Sequence, residues 1–589
     1  MSTYVAPIDS MMFTLEEVAG LGEVASLPGN EEVSADLVRA VLEEAGKVAE
    51  ELLAPVNKSG DQEGSNLVDG RVTCPTGWQE AYDTLAEGGW FGLPFGEEWG
   101  GMGLPWLVNA AVQEMIQGAN MAFGVGTLVS MGAVEALDAY GSDEQKQAYL
   151  PNMVSGAWSG TMNLTEAGAG SDLASIRTKA IPDGDHYKVI GQKIFITYGD
   201  HELTENIIHL VLARTPDAPA GVKGISLFIV PKFLEDGSRN DVHCVSLEHK
   251  LGIHGSPTAV LSFGDKGGAI GYLVGEENQG LKYMFAMMNR ARLSVGLQGV
   301  GVAEHAYQQA VAYSRERVQG VALGQSEKGP IIRHPNIRRK LMTMKSRIEA
   351  MRGVAYQAAL AIDMVHRTED PVAQAAHQAR LDFLTPIAKG WCSEWGNEVA
   401  SLGMQVFGGM GYVEETGACQ HFRDVRITTI YEGTTGIQAN DLVGRKIARE
   451  DGKTARLVLA EVAETVSRLR QMGGADFDSL ADGLQGAADQ VSGVVDWLIE
   501  KSKSDVALLG AASFNVLMMW GALLGGKALA EGAMAAKRRI ADAEGDGASH
   551  QSRIDLALYY TAQEFPLVQA MAEIVKGAET VMAMEEAQF

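Results

Sequence analysis

The spacing of apolar residues changes twice along this chain, and this change constrains the fold more than any other feature. Residues 34–53 and 115–140 place apolar side chains at helical intervals. Over residues 160–275 the pattern becomes short β-rich runs separated by Gly, Pro and Asp. Helical patterns then return at residues 281–318, 334–366, 371–407 and 453–589. The sequence therefore predicts a mainly α protein with a central antiparallel β domain.

The same changes of pattern divide the chain of 589 residues into four predicted domains. Four is also the number expected at about 150 residues per domain. They are an N-terminal helical domain (1–159), a middle β domain (160–278), a C-terminal helical bundle (279–450) and an additional helical domain (451–589). No repeat with a solenoid-like period is present, so a repeat architecture is excluded.

Charge and cysteine content exclude several classes of function. The chain has 48 Lys and Arg against 75 Asp and Glu, a net charge of −27, so no basic surface for nucleic acid is expected. The four cysteines form no CxxC pair, and neither a disulfide scaffold nor a metal site is predicted. The N-terminus does not have the pattern of a signal peptide. We expect a reduced, cytoplasmic setting.

One uncharged segment, residues 506–526, is long enough to cross a bilayer. Its first residues are rich in Gly and Ala, and both neighbouring segments have the pattern of amphipathic helices. We therefore interpret it as a buried helix and expect no membrane span. A membrane-attached enzyme is the alternative.

The first motif that can contact a ligand is MNLTEAGAGSD, at residues 162–172. Gly168 and Gly170 let the backbone approach a ligand closely, and successive N–H groups in such a turn can bind an anion. Thr165 and Ser171 add hydroxyl donors. The structural alternative is an ordinary Gly-rich turn that enters the β domain.

Two further motifs can contact a ligand, one through a planar ring and the other through a phosphate. In GQKIFITYG, at residues 191–199, strand alternation places Phe195 and Thr197 on one face, where they can offer a stacking surface and a hydrogen bond. In RERVQG, at residues 315–320, Arg317 can pair with a phosphate. The structural alternatives are an amphipathic strand and a basic helix C-terminus favoured by the helix dipole.

The most informative motifs are QVFGGMGY, at residues 405–412, and YEGTTGIQ, at residues 431–438. Glu432 stands just before a helix that Thr434 or Thr435 can cap. A carboxylate at this place either complements the helix N-terminus, which lowers its pKa, or acts as a general base beside a glycine that admits the ligand. The sequence leaves both interpretations open.

Taken together and in this order, TEAGAGSD, FIT, QVFGGMGY and IYEGT resemble the acyl-CoA dehydrogenase flavoprotein family. The resemblance covers residues 35–445. It implies an N-terminal helical domain, a barrel-like β domain and a C-terminal four-helix bundle, to which this chain adds a helical domain. It also implies FAD as cofactor and oxidation of an acyl-CoA thioester to the trans-2-enoyl-CoA, with an electron-transfer flavoprotein as electron acceptor.

The resemblance also implies roles for matching positions. Glu432 is the implied catalytic base, which removes a proton from the α-carbon while a hydride leaves the β-carbon for the flavin. FAD contacts are implied for Met162, Leu164, Thr165, Gly170, Ser171, Phe195, Thr197, Arg317, Gln319, Gln405, Gly409, Thr434 and Gly436. Acyl-CoA contacts are implied for Ser171, Asn289, Arg292, Tyr431 and Gly433.

Two positions depart from the pattern of many members of this family. Ala167 stands where many members have Pro, which makes the Gly-rich turn less stiff. Ala291 stands where some relatives carry the base, so that role stays with Glu432. For Glu432 we expect desolvation to overcome the effect of the helix start, and to raise its pKa, only when acyl-CoA is bound.

Further segments, such as LEHKLGIHGSPT (residues 247–258) and MMNRARLSVGLQG (287–299), resemble a long branch of the family. That branch includes 3-(methylthio)propanoyl-CoA dehydrogenases of dimethylsulfoniopropionate breakdown, and this thioester is the expected substrate. Alternatives are a straight-chain fatty acyl-CoA dehydrogenase, an acyl-CoA oxidase, a catalytically silent relative and a flavin-carrying nucleic-acid-binding relative. The extra domain favours a homodimer over a tetramer, by analogy with other long members.

Overall fold

The computed structural model describes residues 4–589. These residues form two compact units, which are built from interleaved segments of the chain. The helical unit comprises the chain up to Gly46, Trp106–Gly118 and Arg292–Phe589, and the sheet-containing unit comprises Lys47–Pro105 and Ala119–Ala291. The four-domain division expected from the sequence stays a prediction.

Helices occupy most of both units. In chain order they are α1 (Ile8–Glu17), α2 (Leu21–Ala25), α3 (Ala35–Lys47), α4 (Pro55–Glu63), α5 (Trp78–Glu87), α6 (Trp106–Ala119), α7 (Met121–Tyr140), α8 (Asp143–Val154), α9 (Gly280–Glu316), α10 (Pro335–Arg367), α11 (Pro371–Phe407), α12 (Ala418–Val425), α13 (Thr435–Asp441), α14 (Lys453–Met472), α15 (Ala475–Lys501), α16 (Val506–Ala541), α17 (Gly547–Gln563) and α18 (Phe565–Lys576). The mainly α fold class is confirmed.

The three long helices predicted from apolar spacing are α9, α10 and α11, and their bounds have local causes. Proline is the first residue of both α10 and α11, a position where its missing N–H costs nothing. The Asp370 side chain caps α11 by accepting hydrogen bonds from the main-chain N–H groups of Val372 and Ala373. The helix ends before Gly408, whose φ of +62° favours glycine. α10 and α11 pack against each other and against α16.

The strands are β1 (Asn66–Val68), β2 (Arg71–Thr73), β3 (Trp158–Asn163), β4 (Lys179–Asp183), β5 (His186–Thr197), β6 (Asn206–Ala213), β7 (Ser226–Pro231), β8 (Val242–Leu247), β9 (Thr258–Phe263), β10 (Ala269–Leu273), β11 (Val318–Val321) and β12 (Lys328–Pro330). The central sheet has the order β3-β6-β7-β10-β5-β9-β8, and β4 pairs with β5. Its core includes Val211, Phe228, Leu261 and Phe263, all fully buried or nearly so.

The central sheet departs from the expected antiparallel pattern at one place. β3 and β6 pair in parallel, with Trp158 opposite Asn206 and Asn163 opposite Val211. The other pairs of this sheet within residues 4–589 are antiparallel. The hairpin of β4 and β5 lies between β3 and β6 in the chain, so the connection is a crossover and β6 runs in the direction of β3. Turn signals predict hairpins and give no sign of such a crossover.

Two helices of the described part of the chain, α7 and α16, are long and apolar enough to cross a membrane. In their most apolar windows 89% and 67% of the residues, respectively, are buried inside the protein. α16 packs against α10, α11, α15, α17 and α18. This packing is typical of a core helix, as residues 506–526 were interpreted from the sequence.

One fully buried cation, Arg352, joins several helices of the helical unit. Its guanidinium lies 2.7 Å from a Glu114 carboxylate oxygen, 3.0 Å from one of Glu304 and 3.4 Å from one of Glu349. Tyr356 donates a hydrogen bond of 2.7 Å to Glu114. Burial raises the pKa of Glu114, and Arg352 opposes this shift. Removal of Arg352 therefore leaves buried carboxylates without their cation.

We expect the Arg352→Ala variant to unfold at a much lower urea concentration than the wild type. Breaking a buried ion pair from one side costs about 3–5 kcal/mol, because the remaining charge stays buried. Arg456→Ala is the matched control, because Arg456 forms an exposed ion pair with Asp496 in the same unit and such pairs contribute about 1 kcal/mol or less. Tryptophan fluorescence measures the unfolding midpoints. Equal midpoints for the two variants would contradict the role given to Arg352.

Candidate active site

The residues predicted to form the site are distributed over both units. The sheet-containing unit holds Met162, Leu164, Thr165, Gly170, Ser171, Phe195, Thr197 and Asn289. The helical unit holds Arg292, Arg317, Gln319, Gln405, Gly409, Tyr431, Glu432, Gly433, Thr434 and Gly436. Each group has a clear local arrangement within its own unit.

Glu432 lies in a tight turn that precedes α13. Its φ is +55° and that of Gly433 is +87°, so two consecutive residues adopt the left-handed region. For Glu this conformation stores about 1–3 kcal/mol of strain, which persists only where surrounding contacts enforce it. A Cβ on residue 433 would lie 2.7 Å from Nε2 of Gln438, so Gly433 is required both by its φ and by its close neighbour.

Side chains of the helical unit hold both carbonyl groups of this turn. The Glu432 carbonyl accepts hydrogen bonds from Nε2 of Gln438, at 3.2 Å, and from Nε of Arg292, at 3.4 Å. The Gly433 carbonyl accepts from Nζ of Lys389, at 2.7 Å, and from Nε2 of Gln438, at 3.3 Å. In the described part of the chain the main-chain N–H of Glu432 donates no hydrogen bond. It is therefore available to a ligand.

The helix that follows explains the two threonines of the motif. Oγ1 of Thr434 caps α13 by accepting from the N–H of Ile437, whereas Oγ1 of Thr435 donates to Glu394 at 2.5 Å. Of the two candidate caps, the structure thus selects Thr434. The Glu432 side chain is left out of the cap and keeps its carboxylate for other contacts.

Burial has the largest effect on the Glu432 carboxyl. It raises the pKa of this group, while the nearby charges of Arg292 and Lys389 act to lower it. The sequence-based expectation that desolvation would dominate only with ligand bound is therefore wrong: in the protein alone burial already outweighs the other effects. Sequence spacing showed the helix start but not the burial of the carboxyl.

The Tyr431 side chain, next to Glu432 in the chain, is held by buried glutamines of the helical unit. Its hydroxyl donates to Oε1 of Gln298, and Nε2 of Gln298 donates to Oε1 of Gln117 at 3.1 Å. Both glutamines are fully buried. The phenol is thus already engaged inside the helical unit, and its predicted contact with acyl-CoA stays a prediction.

Sequence reasoning missed Lys389, which lies in the middle of α11 and is fully buried. Burial lowers its pKa to about 7. The signal was a single lysine inside the apolar run TPIAKGWC, at residues 385–392. Lysine is almost never fully buried without a partner, so a lysine at such a place indicates a specific role.

In the sheet-containing unit a buried ion pair organises the Gly-rich motif. Nζ of Lys193 donates to Oε1 of Glu166, at 2.9 Å, and to the Leu164 carbonyl, at 3.0 Å. The Glu166 carboxylate also accepts from the N–H of Arg177 and from the hydroxyl of Thr178, both at 2.6 Å. Burial opposes ionisation of Glu166, but Lys193 and Thr178 hold its pKa below the usual value. Sequence reasoning singled out neither Glu166 nor Lys193.

Phe195 is exposed and Thr197 is half-buried in this unit, but the regular alternation from which a shared face was predicted is broken at Phe195. Alternation alone would place Phe195 on the side of the buried Lys193. The pairing of β5 with β9 is irregular between Lys193 and Ile196, where Phe195 has a φ of +59°. The Phe195 ring is consequently 57% exposed and Thr197 is half-buried.

These surfaces fit the flavin cofactor that the resemblance implies. Phe195 offers an exposed aromatic face, and a Cβ at Gly168 or Gly170 would meet no atom within 4 Å, so the Gly-rich motif is open to a ligand. Oδ1 of Asn163, at the end of β3, is buried without a hydrogen-bond partner in the protein. In the helical unit Arg317, Gln319, Gln405 and Gly409 are exposed. The Met162 side chain is buried.

Family models match the chain over nearly its whole length. They are the N-terminal domain (residues 36–157), the middle domain (161–265) and the C-terminal domain (278–447) of acyl-CoA dehydrogenase. The model described as acetyl-CoA dehydrogenase C-terminal like matches residues 458–585. The additional helices therefore also belong to a known family domain.

Relatives of similar length support the same assignment. The chain is 46% identical to 3-methylmercaptopropionyl-CoA dehydrogenase from Ruegeria pomeroyi, over 98% of each chain. It is 32% identical to a butyryl-CoA dehydrogenase from Syntrophomonas wolfei, over 98% of this chain and 97% of that one. Both comparisons extend through the additional C-terminal helices.

Solved structures share the fold. An acyl-CoA dehydrogenase complexed with FAD from Bacillus anthracis matches with a TM-score of 0.76 and 22% identity, over 94% of this chain and 90% of that one. A structure titled for the electron transferring flavoprotein of Acidaminococcus fermentans matches with a TM-score of 0.57 and 29% identity, over 69% of this chain and 96% of that one. The chain belongs to the acyl-CoA dehydrogenase family, flavoprotein oxidoreductases that use FAD and act on the CH–CH bond of acyl-CoA thioesters.

Proposed function

We propose that this enzyme oxidises 3-(methylthio)propanoyl-CoA, which is the same compound as 3-methylmercaptopropionyl-CoA, to its trans-2-enoyl thioester. The observation that carries the dehydrogenase chemistry is the half-buried Glu432 carboxyl on a turn fixed by Lys389, Gln438 and Arg292. The choice of acyl group is supported by the Ruegeria pomeroyi relative, at 46% identity over 98% of both chains.

The base in this proposal is Glu432. An α-C–H bond of a thioester is weakly acidic, so its cleavage needs a positioned base and a donor for the developing negative charge on the thioester oxygen. A Glu432 carboxylate oxygen takes the α-proton. The Glu432 N–H, which donates to no group in residues 4–589, donates a hydrogen bond to the thioester oxygen. FAD, when bound, accepts the hydride that leaves the β-carbon. The acyl chain thus loses one proton and one hydride.

Substrate binding makes the base stronger. The acyl chain excludes water from the carboxyl, and loss of hydration raises a carboxyl pKa. Burial has already raised the pKa of Glu432, and the charges of Arg292 and Lys389 oppose it. Loss of hydration on substrate binding acts in the same direction as this burial, so the carboxyl becomes more basic in the complex.

We assign the cofactor contacts to residues that, apart from the buried Met162, are exposed or half-buried in their own unit. Phe195, Thr197, Thr165 and Ser171 would hold the flavin side, and Arg317 with Gln319 would hold the phosphates and adenosine. Arg317 is exposed and its guanidinium lies 3.5 Å from Oε1 of Gln319, so the two can act on one ligand. We also assign FAD contacts to Met162, Leu164, Gly170, Thr434 and Gly436, and acyl-CoA contacts to Ser171, Asn289, Arg292, Tyr431 and Gly433.

We further propose a cytoplasmic homodimer that passes electrons to an electron-transfer flavoprotein. Gln405 and Gly409 are exposed at the end of α11, where they can reach the FAD of a second copy. The structure described for the electron transferring flavoprotein of Acidaminococcus fermentans, at 29% identity, supports the choice of electron acceptor.

Glu432→Gln removes the base and keeps the shape of the side chain. We expect kcat to fall by about 10²–10⁴-fold, the usual contribution of a general base, with the flavin spectrum unchanged. The control is Glu573→Gln, which alters a largely exposed glutamate paired with Lys576. A Glu432→Gln enzyme with wild-type kcat would remove Glu432 from the role of base.

Substrate preference separates the proposed acyl group from the alternatives. We expect the highest kcat/KM with 3-(methylthio)propanoyl-CoA, and values lower by about tenfold or more with octanoyl-CoA and palmitoyl-CoA, because a few methylenes exceed a pocket shaped for a short chain. Pentanoyl-CoA is the matched control, since it replaces only the sulfur by a methylene. A preference for palmitoyl-CoA would refute the proposed substrate and leave the reaction class intact.

Arg317→Ala is expected to weaken retention of FAD, because a guanidinium binds phosphate through two parallel hydrogen bonds. Arg315→Ala is the control, since Arg315 is also exposed and lies two residues earlier on α9. Flavin content after dilution and gel filtration measures the effect. If the Arg317→Ala protein keeps a full flavin complement, the assignment of Arg317 is wrong.

A further inference from the structure

Lys389 lies where a lysine is costly. It is fully buried in the middle of α11, and neighbours such as Ile387, Trp391 and Cys392 are fully buried as well. Transfer of an ammonium group from water to such a site is unfavourable unless specific contacts compensate. The contact that the structure provides is a 2.7 Å hydrogen bond from Nζ to the Gly433 carbonyl.

This hydrogen bond acts on the most strained part of the site. Glu432 and Gly433 both have positive φ, and a left-handed Glu is retained only if neighbouring contacts enforce it. Of the contacts to the Gly433 carbonyl, the bond from Lys389 is the shorter, at 2.7 Å against 3.3 Å for Gln438. Loss of the amino group would therefore release the carbonyl that fixes the backbone just after the base.

The charges around Lys389 couple it to the base. Glu432, Arg292 and Glu394 are the charged groups that act on its ammonium, and Lys389 in turn acts on the carboxyl of Glu432 together with Arg292. Two cations thus oppose the effect of burial on one carboxyl. Arg292 donates a hydrogen bond to the Glu432 carbonyl, and Lys389 donates one to the Gly433 carbonyl.

We propose that Lys389 is a positioning residue for the base: its amino group anchors the Gly433 carbonyl so that the left-handed turn presents the Glu432 carboxyl, and its charge favours the ionised carboxylate before substrate binds. This inference rests on the proposed function of Glu432. It adds a buried cation on α11 to the residues that set the state of the base.

The test uses the holoenzyme and three variants. Lys389→Met removes the amino group and keeps much of the side-chain volume, and Lys389→Ala removes it and leaves room for water. Lys527→Met is the matched control, because Lys527 is also buried in the helical unit but pairs with Glu531 on α16. A neutral diazoacetamide esterifies protonated carboxyl groups, and peptide mass spectrometry then gives the extent of reaction at Glu432 at each pH.

We expect the pH of half-maximal esterification at Glu432 to rise by about one unit or more in both Lys389 variants. Both variants lack the neighbouring positive charge that favours the ionised carboxylate. The acidic limb of the kcat/KM profile should move by the same amount, and Lys527→Met should leave both unchanged. A wild-type esterification midpoint in a folded Lys389 variant, whether Met or Ala, would overturn the inference. Esterification needs no turnover, so a shifted midpoint in an enzyme that oxidises no acyl-CoA would refute the proposed function and not the role of Lys389 beside Glu432.

Discussion

The site depends on one unfavourable backbone arrangement, the left-handed pair Glu432–Gly433. A glutamate with φ of +55° is retained because its own carbonyl and the next one accept hydrogen bonds from Arg292, Gln438 and Lys389. The charges of Arg292 and Lys389 also reduce the cost of burying the ionised carboxyl. One set of contacts therefore fixes both where the base lies and how readily it ionises, which are the two properties that a general base requires.

The sheet-containing unit uses a related device. A buried lysine, Lys193, joins β5 to the Gly-rich motif through Glu166 and the Leu164 carbonyl. The chain thus orders both of its proposed ligand-binding segments in advance, through buried cations that bond to main-chain or carboxylate oxygens. Such preorganisation reduces the ordering that a ligand must impose on binding.

Much of the architecture could be predicted from the sequence. Apolar spacing and prolines predicted α9, α10 and α11 to within a few residues, because helix periodicity and proline geometry act locally. The parallel pairing of β3 with β6 could not be predicted, because it depends on a crossover. Nor could the exposure of Phe195, which depends on an irregular pairing between β5 and β9.

The candidate site shows the same division. Motif resemblance singled out Glu432 and Gly433, because both stand in one contiguous run of the sequence. It missed Lys389 and Lys193, which come from other segments of the chain and meet the motifs only after folding. The sequence also led us to expect that desolvation raises the Glu432 pKa only when acyl-CoA is bound. Burial already raises it in the protein alone, because burial depends on tertiary packing that no single segment encodes.

The most direct test of the account is anaerobic stopped-flow absorbance of the holoenzyme mixed with 3-(methylthio)propanoyl-CoA, with hydrogen or deuterium at the α-carbon. If a carboxylate removes the α-proton as the flavin is reduced, the flavin band bleaches, and it bleaches more slowly with the α-deuterated thioester. Bleaching at the same rate with both thioesters, together with slower bleaching by the β-deuterated one, would contradict proton removal in the rate-limiting step. Absence of bleaching would contradict the proposed substrate.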